Sequence, residues 1–461
     1  MSTSYLKELD QPTRERRQRT LLILGIVTYV ACFQWMYIHW LYPVFGYYGF
    51  DFNPPAPGYL ALAWILSVLP SSWMPLVLTR PSQLIYWVLY TTAFIPSMFV
   101  PLYAGMNKSS EIAVLMLTLF LGFLLAGLSY LFPVLKLQSR QLRGSHFWFG
   151  FAVLAGGLAV WVMAAFRGRL HVLSFMDIYD LRFAANDVMA GTRLNYALMW
   201  LSGAIDPFLM GWGLHRKKPF LFLAGALGQL LVYASLGTKG SFVSILFILA
   251  IYLFLRGDRL PFALKLTWGL VALFVVLSMS TVVTESEEGS LLWILLFMIF
   301  MRTFAINGLM TAWYYDFFQR NPQTHYSHVN GVNWFLHYPY VNPLGFEVGS
   351  FYSGDLSADA NGHFWATDGL AAFGLPGILL ISVFCALVFW VLDSVAEKHN
   401  PRLAALLVSY AAYNLANIGI FTSLLSGGLA LLMVFLYLMP HENSAVSVSP
   451  NVWAATVRRA T

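Results

Sequence analysis

Charge is scarce in this chain. Of its 461 residues only 10% are Asp, Glu, Lys or Arg, against about 25% in soluble domains, which excludes an ordinary water-soluble fold. Cysteine is nearly absent. Cys32 and Cys385 both lie inside apolar runs, so there is neither a disulfide framework nor a Cys-x-x-Cys metal site. No internal repeat or low-complexity tract is evident. The net charge of +6 does not come from a basic stripe. Its positive residues sit in short loops between apolar stretches, and nucleic acid is not an expected partner. The basic start, Arg14 to Arg19, leads into an apolar run too long for a signal-peptide core. We read it as a retained first helix.

What the chain has in abundance is apolar length: 59% hydrophobic residues and a mean hydropathy of +0.66. A span needs about 20 apolar residues. Candidates lie near 21–42, 58–78, 83–103, 112–134, 147–166, 196–214, 219–236, 240–255, 266–284, 368–392, 402–420 and 424–440. The expectation is an all-α polytopic membrane protein of about 12 transmembrane helices, one integral domain over 1–461 in the lipid bilayer. Lys and Arg set the orientation. With both termini cytoplasmic, 19 of the 27 basic residues fall on the inner side. Residues 443–461 are then a cytoplasmic tail.

One stretch, 291–318, would reverse every later loop if it crossed. It contains Arg302, Asn307 and Asp316 among aromatics, and it is expected as an interfacial or re-entrant helix on the outer face. Two outer regions follow from this, 167–195 and 285–367, the second a large external loop.

The outer acids and cations are where chemistry is sought. Ser357–Gly377 (SADANGHFWATDGLAAFGLPG) carries Asp359, Asn361, His363 and Asp368 to a helix entrance, and charge beside lipid is costly. Asp359, Asp368, Glu347 and His363 are candidate general bases for a hydroxyl. Asp355 belongs to the same outer group. Arg182 and Arg193 in DLRFAANDVMAGTR, Lys239 in the turn LGTKGS, and Arg302 after a long apolar run are candidate phosphate contacts. Local pairing with Asp177, Asp180 or Asp187, and a snorkelling lysine, are the plainer alternatives for the loop arginines and Lys239. Asn361, Trp365, Tyr352 and His337 are candidate sugar contacts, with Trp334, Tyr338 and Tyr340 nearby; interfacial anchoring explains the aromatics equally. The spacing of His325, His328 and His337 matches no metal site. No metal or cofactor is expected. Asp206, mid-helix beside Pro207, is a further intramembrane acid.

These residues resemble the Wzy-type oligosaccharide repeat-unit polymerases of bacterial O-antigen and exopolysaccharide synthesis, which are related to the O-antigen ligases. The matching features are the YxGF-like stretch at Tyr48–Phe50, the turn GTKGS, the Arg302 segment running into WYYDFF, and DANGHFWATDG before FGLPG. The likeness is one of arrangement. It implies a GT-C-like membrane glycosyltransferase that joins polyprenyl-diphosphate-linked oligosaccharides at the outer face of the inner membrane, facing the periplasm. Arg182, Arg193, Lys239 and Arg302 would match the diphosphate-binding set. Relatives often carry arginine where Lys239 stands, and the ligases carry His-Asn where this chain has Asn361-Gly362-His363. The second departure favours polymerase over ligase. Implied partners are the lipid-linked substrate and a chain-length regulator and flippase of the same pathway. A transporter of lipid-linked saccharide is the alternative of a different class, and Asp206 is its main support.

Overall fold

Backbone amides in hydrocarbon must find partners within their own segment, and long apolar runs accordingly become helices. A computed structural model describes residues 3–137, 142–170, 188–189, 192–257, 260–283, 288–363 and 365–440, those of 3–12 and Lys239 as backbone. Among them there are helices and no strand. We number the principal ones α1 (Thr13–Tyr48), α2 (Pro57–Ser72), α3 (Ser82–Ala104), α4 (Ser109–Leu131), α5 (Gly144–Ala165), α6 (194–215), α7 (Pro219–Leu236), α8 (Lys239–Leu255), α9 (Phe262–Val283), α10 (Leu291–Arg320), α11 (Leu344–Ser353), α12 (Ala366–Ala396), α13 (401–415) and α14 (Ile420–Leu438). Their ends follow local rules. Pro57, Pro219 and Pro401 stand in first turns, where a missing N–H costs nothing. Gly105 and Gly237 close α3 and α7 at φ 66° and 63°, a left-handed conformation that suits glycine.

Nine of these helices (α1, α3, α4, α5, α7, α9, α10, α12 and α14) are long and apolar enough to cross a membrane. The protein is a multi-pass membrane protein. The expected spans near 58–78 and 240–255 are shorter apolar helices. That near 402–420 is interrupted at Val408 and stops at Leu415. The expected tail 443–461 and most of 167–195 lie outside the described residues.

The bundle has two distinct ends. At one, Arg14, Gly257 and Arg402 gather, and the buried Asp393 of α12 accepts hydrogen bonds from Ser82 N (3.0 Å) and Oγ (2.7 Å) at the start of α3. At the other, Tyr48, Gly240 and Asn417 gather.

Two elements turn back at this second end. Trp293 and Phe297 of α10 pack on Phe45, and Phe304 reaches Tyr29, deep along α1. Asn307 then donates to Thr92 O (2.7 Å), while Asn107 donates to Asp316 (3.1 Å), just beyond α3. Both ends of α10 therefore lie beside the same end of the bundle, and the helix bends between them. The bend coincides with the π-helical stretch Phe297–Ala305, a recognised source of kinks. Ile306 through Phe318 are all buried, so this half does not lie on an outer surface as an interfacial helix would. α12 is likewise two arms. Phe373 and Gly374 leave helical geometry, Gly374 at φ 62° and ψ −145°, and the backbones of Gly369 and Gly377 touch across the hairpin. The first arm carries Asp368; the second makes the long descent to Asp393.

Candidate functional site

The polar stretch before α12 does not rest on the surface; it descends into the bundle. Trp365 is 1% exposed and stacks on Phe94 of α3 at 5.4 Å. Its descent is held by backbone contacts. The glycine face of α11 allows this, because a Cβ on Gly345 or Gly349 would meet Asp359 Oδ1 or Ala358 O at 2.1 Å. Ala360 N donates to Gly345 O (2.9 Å) and Tyr314 OH to Ala360 O (3.0 Å). The strap 358–361 is thereby fixed between α10 and α11.

Two cavities open on either side of Asn361, which lines both. The larger, about 360 Å³, is walled by Arg302 and Asn307 of α10, Asp359 and Asn361 of the strap, and Thr238 and Gly240 at the start of α8. A further wall is Tyr410, Tyr413, Asn414 and Asn417. The smaller, about 200 Å³, holds Asp368, Thr367, His328, Asn330 and Tyr314, with Tyr196.

Arg302 is exposed to the larger cavity, its guanidinium 5.9 Å from the Phe297 ring centroid. Among the described residues it has no ion-pair partner. Asp359 accepts from Asn361 Nδ2 at 2.6 Å, which orients both toward the same space. Asp368 is half-buried; its Oδ2 accepts from Ile420 N (2.8 Å) where Gly419 passes close. His328 Nδ1 lies 2.8 Å from Thr324 Oγ1, and burial pushes the imidazole down to about 4.

Most of the other expected site residues that are described lie outside the two cavities. His363 is wholly buried, its Nε2 2.9 Å from Thr311 Oγ1, and lines neither cavity. Glu347 accepts from Asn342 N (2.7 Å) and Nδ2 (2.9 Å), closing the loop before α11. Tyr352 stacks on Trp313 at 5.0 Å and donates to Asp316 Oδ2 at 2.7 Å, a packing role. His337 is exposed outside both cavities. Trp365 is core. Arg193 is exposed at the head of α6, one turn before Tyr196. Lys239 begins α8, between two residues that line the larger cavity; Arg182 lies outside the described residues. Asp206, the intramembrane acid, is buried between α6 and α7 against Gly228, with Oδ2 unpartnered among the described residues.

The sequence reading missed the wall from α13. Its signal was present: Tyr410, Tyr413 and Asn414 recur at i, i+3 and i+4, one face of a helix in an apolar setting, and Asn417 follows in the turn just beyond α13. Such a stripe hydrogen-bonds a polar ligand without charge. Among the described residues no three His, Cys, Asp or Glu side chains group to hold a metal ion. The larger cavity thus offers, among the described residues, one cation without an ion-pair partner, one carboxylate and several amide and phenol groups.

No family model matches the chain, and comparison with curated proteins and with solved structures gave no significant match.

Proposed function

We propose that the protein is a glycosyltransferase that polymerises polyprenyl-diphosphate-linked oligosaccharide units at the outer face of the bacterial inner membrane. The observation that carries this reading is the larger cavity, where Arg302, without an ion-pair partner among the described residues, and the carboxylate of Asp359 face a common space. A diphosphate needs a fixed cation, and an attacking hydroxyl needs a base within reach. Polar amides and tyrosines between them suit a saccharide.

The reaction balances as a displacement at C1 of the donor sugar. The acceptor hydroxyl oxygen forms the new bond to C1, the bond from C1 to the diphosphate oxygen breaks, and the lipid diphosphate leaves with the electron pair. Asp359 takes the hydroxyl proton. Arg302, with Lys239 of the turn that begins α8, stabilises charge growing on the leaving group, the largest contribution expected of such a site. Arg193, one turn before Tyr196 of the smaller cavity, is a second phosphate contact. Asp368 and Asn361 bind the acceptor side, and Asp368 is the alternative base.

The membrane arrangement supports the same reading. With α1 to α9, the second arm of α12, α13 and α14 crossing, α10 and the first arm of α12 re-enter from the outer side. Both termini and 19 of the 27 basic residues then lie inside.

The test is purified protein with one synthetic polyprenyl-diphosphate repeat unit. A ladder of longer lipid-linked glycans is expected. Arg302→Ala should slow it by about 100-fold or more, the scale for losing one charge-stabilising donor, with partial recovery in Arg302→Lys. Asp359→Asn should fall comparably. Product only after a different acceptor is added would make the enzyme a ligase. Movement of the lipid across vesicles without bond formation would make it a transporter, with Asp206 the residue to follow.

A further inference from the structure

His328 lines the smaller cavity and has no part in the transfer step. It follows a strained turn. His325 and Tyr326 take φ 51° and 63°, a left-handed conformation that residues with a side chain rarely adopt. The hairpin of α12 holds the turn in place. Thr324 N donates to Ala371 O (2.7 Å) and His325 N to Ala372 O (3.1 Å), and the Tyr326 ring packs on Phe373 and Phe421 at 5.7 and 5.5 Å. Backbone strain persists where surrounding structure enforces it, and it gathers at binding and catalytic sites.

The same turn fixes which ring nitrogen of His328 carries the proton. Thr324 Oγ1 lies 3.0 Å from Ala371 O and 2.8 Å from His328 Nδ1. A carbonyl oxygen can only accept, so the single hydroxyl proton goes to Ala371, and Thr324 Oγ1 accepts from Nδ1–H. Burial pushes the imidazole down to about 4, so near pH 7 the ring is neutral and Nε2 is an acceptor. Nε2 makes no hydrogen bond among the described residues. Asp368 lines the same cavity. Its Oδ2 is taken by Ile420 N, and its Oδ1 likewise makes no hydrogen bond among the described residues. Two acceptors in one cavity call for a ligand with two donors. Vicinal hydroxyls meet that condition and the oxygens of a phosphate diester do not. Tyr314 and Phe421 add ring faces to the lining.

We propose that His328 and Asp368 form a saccharide subsite that demands free hydroxyls, with His328 Nε2 setting the requirement. A sugar whose hydroxyls are methylated leaves both acceptors unpaired, and sites built to bond a hydroxyl reject such analogues strongly. The assignment deepens the glycosyl-transfer reading and rests on it only in making the bound sugar the acceptor of that reaction.

The test is saturation-transfer NMR on the purified full-length protein in neutral detergent. The probes are methyl glycosides of glucose, galactose, mannose and N-acetylglucosamine, each beside its per-O-methyl ether. At least one free glycoside should bind, and its ether should not. His328→Phe keeps a ring and removes both nitrogens, and it should weaken that binding by about fivefold. His328→Gln restores an acceptor near the Nε2 position and should recover most of it. His337→Gln, at an exposed histidine outside both cavities, should change nothing. Side-chain nitrogen-15 shifts of His328 should report Nδ1–H in the wild type and a mixture of tautomers in Thr324→Val, a signature that loop packing alone does not produce. No glycoside bound, ethers bound as well as free sugars, unchanged binding in His328→Phe, or an Nε2–H signal in the wild type would each overturn the subsite. Glycoside binding by a protein that makes no polymer from a lipid-linked unit would leave the subsite and sink the transfer reading. Polymer formed at the wild-type rate by His328→Phe would sink the subsite and leave the transfer.

Discussion

Arg302 and Asp359 differ from Tyr352, Glu347 and His363 in lining the larger cavity, while the polar atoms of those three meet the protein outside it. The difference is measurable. Tyr352→Phe removes one hydrogen bond to Asp316, which keeps Arg320 at 2.6 Å and Asn107. We expect a loss of about 1 kcal/mol of stability, seen as a lower melting temperature, with polymer formation retained; lost activity at unchanged melting would return Tyr352 to the site. His328 gives a pH signature. Burial lowers its imidazole from the ordinary 6.5 to about 4, so between those values the unfolded chain holds a proton that the folded chain does not. Stability from this residue is therefore complete above pH 6.5 and declines as pH falls through that window. Melting curves from pH 7.5 to 4.5 should show the decline in the wild type and a shallower one in His328→Gln. Arg302 was legible in the sequence because a cation within an apolar run has few explanations. The burial of Trp365 was not, because aromatic residues serve an interface, a sugar or a core equally well.

At the level of elements, the site depends on two helices that turn back. The hairpin in α12 needs glycine at two positions for different reasons. Gly374 adopts φ 62° with ψ −145°, a region costing a side chain about 1 to 3 kcal/mol. A Cβ on Gly377 would stand 2.1 Å from the carbonyl oxygen of Gly369, backbone that cannot swing aside. Gly377→Ala should destabilise more than Gly374→Ala. Both should reduce activity, because Asp368 immediately precedes Gly369 and its seat at Ile420 N would shift. Gly150→Ala and Gly156→Ala, whose Cβ atoms meet open space, should be neutral or stabilising by up to about 1 kcal/mol. Melting temperatures of the four variants check this ordering. Most helices were readable from apolar length, and so was the unusual character of 291–318. The hairpin was not, since Gly374-Leu375-Pro376 sits inside one continuous apolar pattern. Periodicity reports which residues avoid water, not whether a helix doubles back within protein.

The fold of the whole molecule turns on which side of the membrane each end of α10 lies. By length and hydropathy this 30-residue helix could cross. Its contacts argue otherwise: one end meets Phe45 at the close of α1, and the other meets Asn107 just after α3. If α10 crossed, the cavity that pairs Arg302 with Asp359 could not face the same compartment as the loop 321–343 and the cations of 398–402 would change sides. Single cysteines decide the matter in a Cys32→Ser, Cys385→Ala background, using a membrane-impermeant maleimide on right-side-out and inverted vesicles. Glu288, Gln319 and His337 are exposed near the site end, and Lys218 is exposed at the opposite end. Glu288→Cys and Gln319→Cys should both label from the side that labels His337→Cys, while Lys218→Cys should label only from the other. Labelling of residues 288 and 319 from opposite sides would mean that α10 crosses, and the outer cavity could no longer be assembled from α10, the strap and α13 on one face. Labelling from one side leaves the positive-inside bias intact and keeps the diphosphate cation, the acid and the polar stripe of α13 open to the same compartment, as a substrate presented from that leaflet requires.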